Sequence, residues 1–523
     1  MAAIITDQLR ILNAKNFVDS VQDSDNAYYA WIGLTDSSEF QSNWDSNPPA
    51  PKDSLDESNY YWDTMLALKK INSGDVTQVI RKISWQSGTT YDMWRNDITR
   101  TNPSLPSNKL DIYDSNFYVV NSEFKVYICL FNNANPENSF NGGPSLDEPN
   151  FTDLEPREAG SSGDGYIWKY LYTIKPNQIV KFDSTNYIPV PNDWFTNSSY
   201  SAIRENAENS GQIKVVTIKN RGAGIGVANQ TYNRVPILGD GRGAEATVVI
   251  NNDSKVESVT ISNGGSGYSF GTLDLEKGGI ASGTEKASFD VIIPPPGGHG
   301  ADIYRELGAY NVLSYARFEN DTQNPDFITG NEFARVGIVK NPKSFNSTSN
   351  LSDDKASALY AIKLKGTGFD ETTFTPNSFV TQTVFDNGSG ITSTAVGRVV
   401  SYDQLTGVLK YFQDRRTAGF NTDGTQNTSP VYGFEQLRFT ANPDDQGTTT
   451  ISGGSNTLSI DTEFTGVSTT LNSRTYFLGQ KFTNGVSNPE SQKYSGDIIY
   501  VDNRPSVTRS SSQKEDVKVI LQF

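Results

Sequence analysis

Apolar and polar residues alternate over short runs along most of the chain, the period expected of strands half-buried in a sheet. VTQVIRKISW (76–85), KVYICLF (125–131) and GYIWKYLYTI (165–174) read as short β-like runs, and EFARVGIVKNP (332–342) reads as a strand ending at a turn. The terminal DVKVILQF (516–523) alternates, so that Val517, Val519, Leu521 and Phe523 point one way and Lys518 and Gln522 the other. A terminal strand this apolar is expected to be tied into a sheet.

Helical spacing is read in two places before residue 75. Thr6 is a fair N-cap, and Leu9, Leu12, Phe17 and Val21 follow at loosely helical intervals, predicting a helix near the N-terminus. After a strand at YYAWIGLT (28–35) and a loop containing NPPAPKDS (47–54), a second short helix is predicted over 60–70, with Trp62, Met65, Leu66 and Lys69 on neighbouring turns.

From about residue 206 the texture changes. KVVTIKNRGAGIG (214–226) is echoed by ESVTISNGGSGYS (257–269), each an alternating strand running into a glycine turn. Two copies are too few for a solenoid, and a small hairpin sandwich is expected. A second β-rich stretch, SFVTQTVFDNGSGITSTAVGRVVSYDQLTGVLKYF (378–412), reads as strands joined by glycine turns and predicts a small barrel. Residues 417–455 read as a polar loop. The expected fold class is mainly β, with several sandwich or small-barrel modules and a few short helices. The expected division is a core at 1–205, a glycine-rich β insert at 206–296, core again at 297–349, a second β insert at 350–473, and terminal core strands at 474–523.

Composition sharpens this. All seven tryptophans precede residue 195, marking a change of architecture near 200. Aromatics at 11% argue against disorder. The net charge of −16 removes the basic footprint that phosphate binding requires, so no nucleic-acid partner is expected. No apolar run approaches a bilayer span, and no signal-peptide pattern is visible at MAAIITDQLR, so no membrane partner is expected.

Catalytic chemistry finds little footing. With one histidine, His299, and one cysteine, Cys129, a three-His or Cys2His2 zinc site within one chain is impossible. Cys129 reads as a packed strand residue, and His299 lies in PPPGGHG with no nucleophile elbow nearby. The glycine loops GAGIG (222–226) and GDGRG (239–243) lead into β-like sequence, whereas a phosphate site needs a helix N-terminus, so turn glycines are expected. Carboxylate pairs such as Asp153/Glu155 and Asp353/Asp354 read as solvated faces rather than a glycosidase pair. DDKAS lacks a calcium-loop frame. No cofactor, no metal and no enzymatic activity are expected. A carbohydrate-binding module is the stronger rival, because 25 tyrosines could supply sugar-stacking faces.

Four segments in order carry a resemblance: VIRKISWQSGTTYD (79–92), SGDGYIWKYLYTIKP (162–176), EFARVGIVKNP (332–342) and YSGDIIYVDNRPSVTRSSSQKEDVKVILQF (494–523). Together they resemble the baseplate wedge subunit encoded by gene eight in T-even-type contractile-tailed phages, in an enlarged version similar to those of cyanobacterial phages. The match covers a little over half the chain. The resemblance implies a mostly β, non-enzymatic virion protein that forms a homodimer. It implies docking on other wedge subunits, the products of the gene-six, gene-seven, gene-ten and gene-fifty-three type, and rearrangement during tail contraction. Assembly would take place in the host bacterial cytoplasm. The inserts at 206–296 and 350–473 depart from the compact family pattern.

Arg504, with Asp502 and Asn503 in the DNRP segment, is the candidate interface group, since a guanidinium can anchor a contact through a carboxylate; bracing a turn is the alternative. Trp85 and Trp168 read as core. The alternative function is a tail-associated adhesin or carbohydrate-binding protein contacting the host surface.

Overall fold

The N-terminal helix, Asp7–Gln22, begins where the Thr6 hydroxyl accepts from the Leu9 amide at 3.3 Å. Its buried stripe is Ile11, Ala14, Val18 and Val21, spaced by three or four residues. Leu9 and Leu12 lie on the opposite side and are about half exposed, so only part of the expected apolar spacing marks the buried face. These observations come from a computed structural model, which describes residues 5–35, 43–207, 212–319, 332–386, 391–413, 438–443, 447–510 and 513–523.

The second expected helix is corrected by the structure. Its helical part is Leu55–Thr64, started by the Ser54 side chain accepting from the Glu57 amide at 3.2 Å. Met65 then turns extended, and Met65–Lys70 is a strand. The apolar run Met65–Leu68 is buried throughout, on both faces of a sheet, and a short continuous apolar run carries no period that separates helix from strand.

Strand accounts for 42% of the structure against 12% helix, so the fold is mainly β, with several sheets and a closed barrel. The chain divides into two units. One is Met1–Val18, Thr77–Leu313 and Ile520–Phe523; the other is Asp19–Val76 and Ser314–Val519.

In the first unit, Tyr118–Val120, Lys125–Asn132 and Tyr166–Thr173 form an antiparallel sheet in which Cys129 faces Trp168. Its core is rich in rings, with Trp94, Phe117, Tyr127, Tyr166, Trp168, Tyr172 and Trp194 all buried. Residues 213–293 build a separate core between a four-stranded sheet (Thr231–Gly239, Arg242–Ile250, Val256–Ser266, Gly271–Leu273) and the pair Val215–Asn220 and Ser288–Ile292. Turn glycines here take up positive φ, as at Gly222 (68°) and Gly243 (80°), where a side chain would be strained.

In the second unit, five strands lie in the order Lys355–Ser357, Met65–Lys70, Tyr28–Gly33, Glu332–Lys340, Asp497–Thr508, each antiparallel to its neighbour. Trp31 stands opposite Gly337 on one neighbour and Leu68 on the other. Beyond this sheet, Tyr360–Lys365, Phe379–Asp386, Ile391–Asp403, Val408–Phe412, Thr450–Gly453 and Asn456–Ile460 form a barrel. It closes where Tyr360–Lys365 pairs with both Val408–Phe412 and Asn456–Ile460. Ile362, Leu364, Val380, Leu409 and Ile451 fill it. Most of the polar stretch expected as loop at 417–455 lies outside the described residues; its end forms the Thr450–Gly453 strand.

Candidate functional site

Arg335 is the one charged residue inside the buried run of Glu332–Lys340, and it is 2% exposed. A buried guanidinium must exchange its hydration for other partners. Here Nε donates to Asn503 Oδ1 at 3.2 Å, and one terminal nitrogen donates to the Leu34 carbonyl at 3.0 Å and the Thr64 hydroxyl at 3.3 Å. The rings of Trp44, Tyr60 and Tyr61 surround it at 4.8, 5.3 and 5.5 Å. Such cation–π contacts strengthen as water is excluded.

Asn503 comes from Asp497–Thr508, the edge strand of the sheet, and its amide nitrogen also donates to the Pro49 carbonyl at 2.8 Å. Between Asn503 and Val507, which face Arg335 and Phe333, the strand bulges, so that Arg504, Pro505 and Ser506 lie opposite Ala334 alone. Pro505 fits because a bulge on an edge asks for no ladder donor. The backbone groups released by the bulge are taken by the loop at 43–49. Trp44 Nε1 donates to the Arg504 carbonyl at 2.7 Å, and the Ser506 amide donates to Asp45 Oδ1 at 2.8 Å. The latter bond helps hold the Asp45 carboxyl below its usual range. That stretch of the edge is thereby closed within the chain.

The structure thus separates the roles of the three DNRP candidates. Asn503 turns inward and braces Arg335. The Arg504 side chain is 67% exposed and pairs with Asp502 at 2.5 Å. Ile499 and Val507 on the same strand are about two-fifths exposed. This edge strand exposes both apolar and charged groups, a composition suited to contact with another protein. Arg335 and Trp44 were not singled out in the sequence; the signal available was a lone arginine in an otherwise apolar strand.

The other candidates occupy packing positions. Cys129 is buried, its thiol donates to the Phe131 carbonyl at 3.4 Å, and burial pushes its pKa well up. His299 is buried with Nδ1 2.6 Å from Glu306 Oε1 and its ring edge-on to Trp94. Trp168 is fully buried, and Trp85 packs against the same core with Nε1 donating to Ser145 Oγ at 3.0 Å. Asp153 pairs with Arg157 and Asp354 with Lys69, both at the surface. Among the described residues, no group of three or more His, Cys, Asp or Glu is placed to hold a metal ion. Among them, too, no helix is long and apolar enough to cross a membrane.

No protein-family model matches the chain, and no curated protein matches it.

Proposed function

We propose that this protein is a structural subunit of a contractile-tail baseplate wedge, working through protein–protein assembly and the rearrangement that accompanies contraction. Its partners are a second copy of itself and other wedge subunits, and its place is the virion tail. The observation that carries this reading is the pairing of two of the four segments on which the resemblance rests. Glu332–Lys340 of EFARVGIVKNP and the DIIYVDNRPSVT part of the last segment, more than 150 residues apart, run antiparallel, interrupted by the bulge at Arg504–Ser506. The Arg335–Asn503 bond joins them. Two of the four resembling segments therefore form neighbouring strands of one sheet, which supports the reading. The exposed Arg504, on the same edge strand as the part-exposed Ile499 and Val507, is the surface offered to a partner.

A reconstruction of the virion tail tests the reading. Density for this chain in the wedges, in contact with wedge neighbours, is the expected result. Its absence from the baseplate would falsify the proposal. Retention of the purified protein on host polysaccharide, lost on deleting 206–296, would point to the adhesin.

A further inference from the structure

Lys169 sits in the middle of the Tyr166–Thr173 strand with only 1% of its surface exposed. A buried lysine ordinarily answers to a carboxylate, but this one ends on neutral groups. Its Nζ donates to the Leu154 carbonyl at 2.7 Å and to the side-chain oxygen of Asn206 at 2.8 Å. The Asn206 carboxamide is held from its other end as well. Its Nδ2 donates to Glu155 Oε1 at 2.7 Å, and the second oxygen of Glu155 receives Lys214 Nζ at 3.0 Å. An amine, a carboxamide and a carboxylate are therefore strung in one line.

Two properties suit this line to chemistry. Burial, and next the nearby Lys214 charge, lower the Lys169 pKa to about 8, against smaller opposing pulls from Glu306 and Glu155. The amine is thus more often neutral and nucleophilic than an ordinary lysine, about a tenth of it at pH 7 and most of it by about pH 9. Burial raises the Glu155 pKa, but the hydrogen bonds from Asn206 and Lys214 outweigh it and keep the group ionised and ready to accept a proton.

We propose that Lys169 and Asn206 join in an intramolecular isopeptide bond, with Glu155 carrying the proton. The Lys169 Nζ lone pair attacks Cγ of Asn206. A new C–N bond forms and the Cγ–Nδ2 bond breaks. The proton shed by Nζ passes through Glu155 to Nδ2, which leaves as ammonia. One primary amide becomes one secondary amide, and nothing is oxidised or reduced. The bond would fasten the Tyr166–Thr173 strand to the Ser201–Ala207 helix, the last described element before the β module at 213–293. This proposal does not depend on the wedge assignment.

The test is the intact mass of the denatured full-length chain, followed by peptide mapping. After incubation at about pH 9, where the amine is mostly neutral, the mass is expected to be about 17 Da below that of the sequence, the loss of one ammonia. A joined peptide containing Lys169 and Asn206 should account for it. Asn206→Ala and Glu155→Gln, both changed at partly exposed positions, should elute as the folded wild type does yet show the full sequence mass. A folded wild-type chain at full mass, with Lys169 and Asn206 recovered in separate peptides, overturns the bond. Bond formation at an undiminished rate in Glu155→Gln overturns the role given to the carboxylate.

Discussion

Arg335 Nε and Asn503 Oδ1 lie 3.2 Å apart although 168 residues separate them in sequence. The contact ties the fourth strand of the five-stranded sheet to its edge strand through side chains as well as through the backbone ladder. Because Asn503 also holds Pro49, and Trp44 stacks on the guanidinium while bonding the Arg504 carbonyl, one buried cation fixes both the bulge and the loop that covers it.

Arg335→Lys should therefore unfold at a lower denaturant concentration. A single ammonium cannot reach Asn503 on one side and Leu34 and Thr64 on the other while keeping the contacts of the guanidinium with the Trp44, Tyr60 and Tyr61 rings. The loss of charged hydrogen bonds in a buried site is expected to cost about 2–3 kcal/mol. An unchanged urea midpoint would remove the guanidinium from its bracing role.

Gly337→Ala tests the packing of the same sheet. An added Cβ would come within 2.4 Å of the Trp31 indole and 2.5 Å of the Tyr500 carbonyl, on a central strand with nowhere to shift. Overpacking of this kind costs about 1–3 kcal/mol. Gly143→Ala is the control, because its Cβ would meet nothing nearer than 3.6 Å. Thermal melts of the two variants should differ clearly.

Leu409→Ala should weaken the barrel. Leu409 is fully buried and paired between Ile362 and Tyr402, so truncation leaves a cavity costing about 2–5 kcal/mol. Calorimetry should show a lowered melting temperature.

At alkaline pH the buried tyrosines govern stability. Burial is the chief cause that raises the phenols of Tyr118, Tyr172 and Tyr411 above their ordinary value of 10.0. The folded chain keeps protons that the unfolded chain releases, so their contribution is complete below about pH 10 and falls as pH rises beyond it. Phenolate absorbance from these rings should appear together with loss of circular dichroism, and titration of all tyrosines without unfolding would contradict this.

The strands were legible from alternation where the pleat puts one face in the core, as at Arg242–Ile250, while 125–131 and 165–174 were legible from their β-branched and aromatic content. Alternation fails where both faces are covered. Met65–Leu68 is apolar throughout, and its neighbours on the sheet decide that it is a strand. The N-terminal helix was legible as a helix, but Leu9 and Leu12 obscured which face is buried. The DNRP segment could be marked as special, yet the partition of its roles could not. That Asn503 turns inward and Arg504 outward follows from a bulge opposite Ala334, which depends on a strand far away in the chain. The Lys169, Asn206 and Glu155 line was invisible for the same reason.

The exposed Arg504 should matter for assembly and not for folding. Its surface pair with Asp502 is expected to contribute only about 0–1 kcal/mol to stability, so Arg504→Ala should fold normally. Weakened association with a partner is the expected phenotype, read by comparing the elution of variant and wild type over a range of concentrations.

The most direct measurement of the assembly role is the solution mass of the purified chain by light scattering coupled to size exclusion. A stable species of twice the 57.5 kDa chain mass is the predicted result, since the wedge reading rests on a two-fold homodimer. A trimer, the state of a fibre-like adhesin, would contradict it, as would a chain that stays monomeric alone and when mixed with its wedge partners.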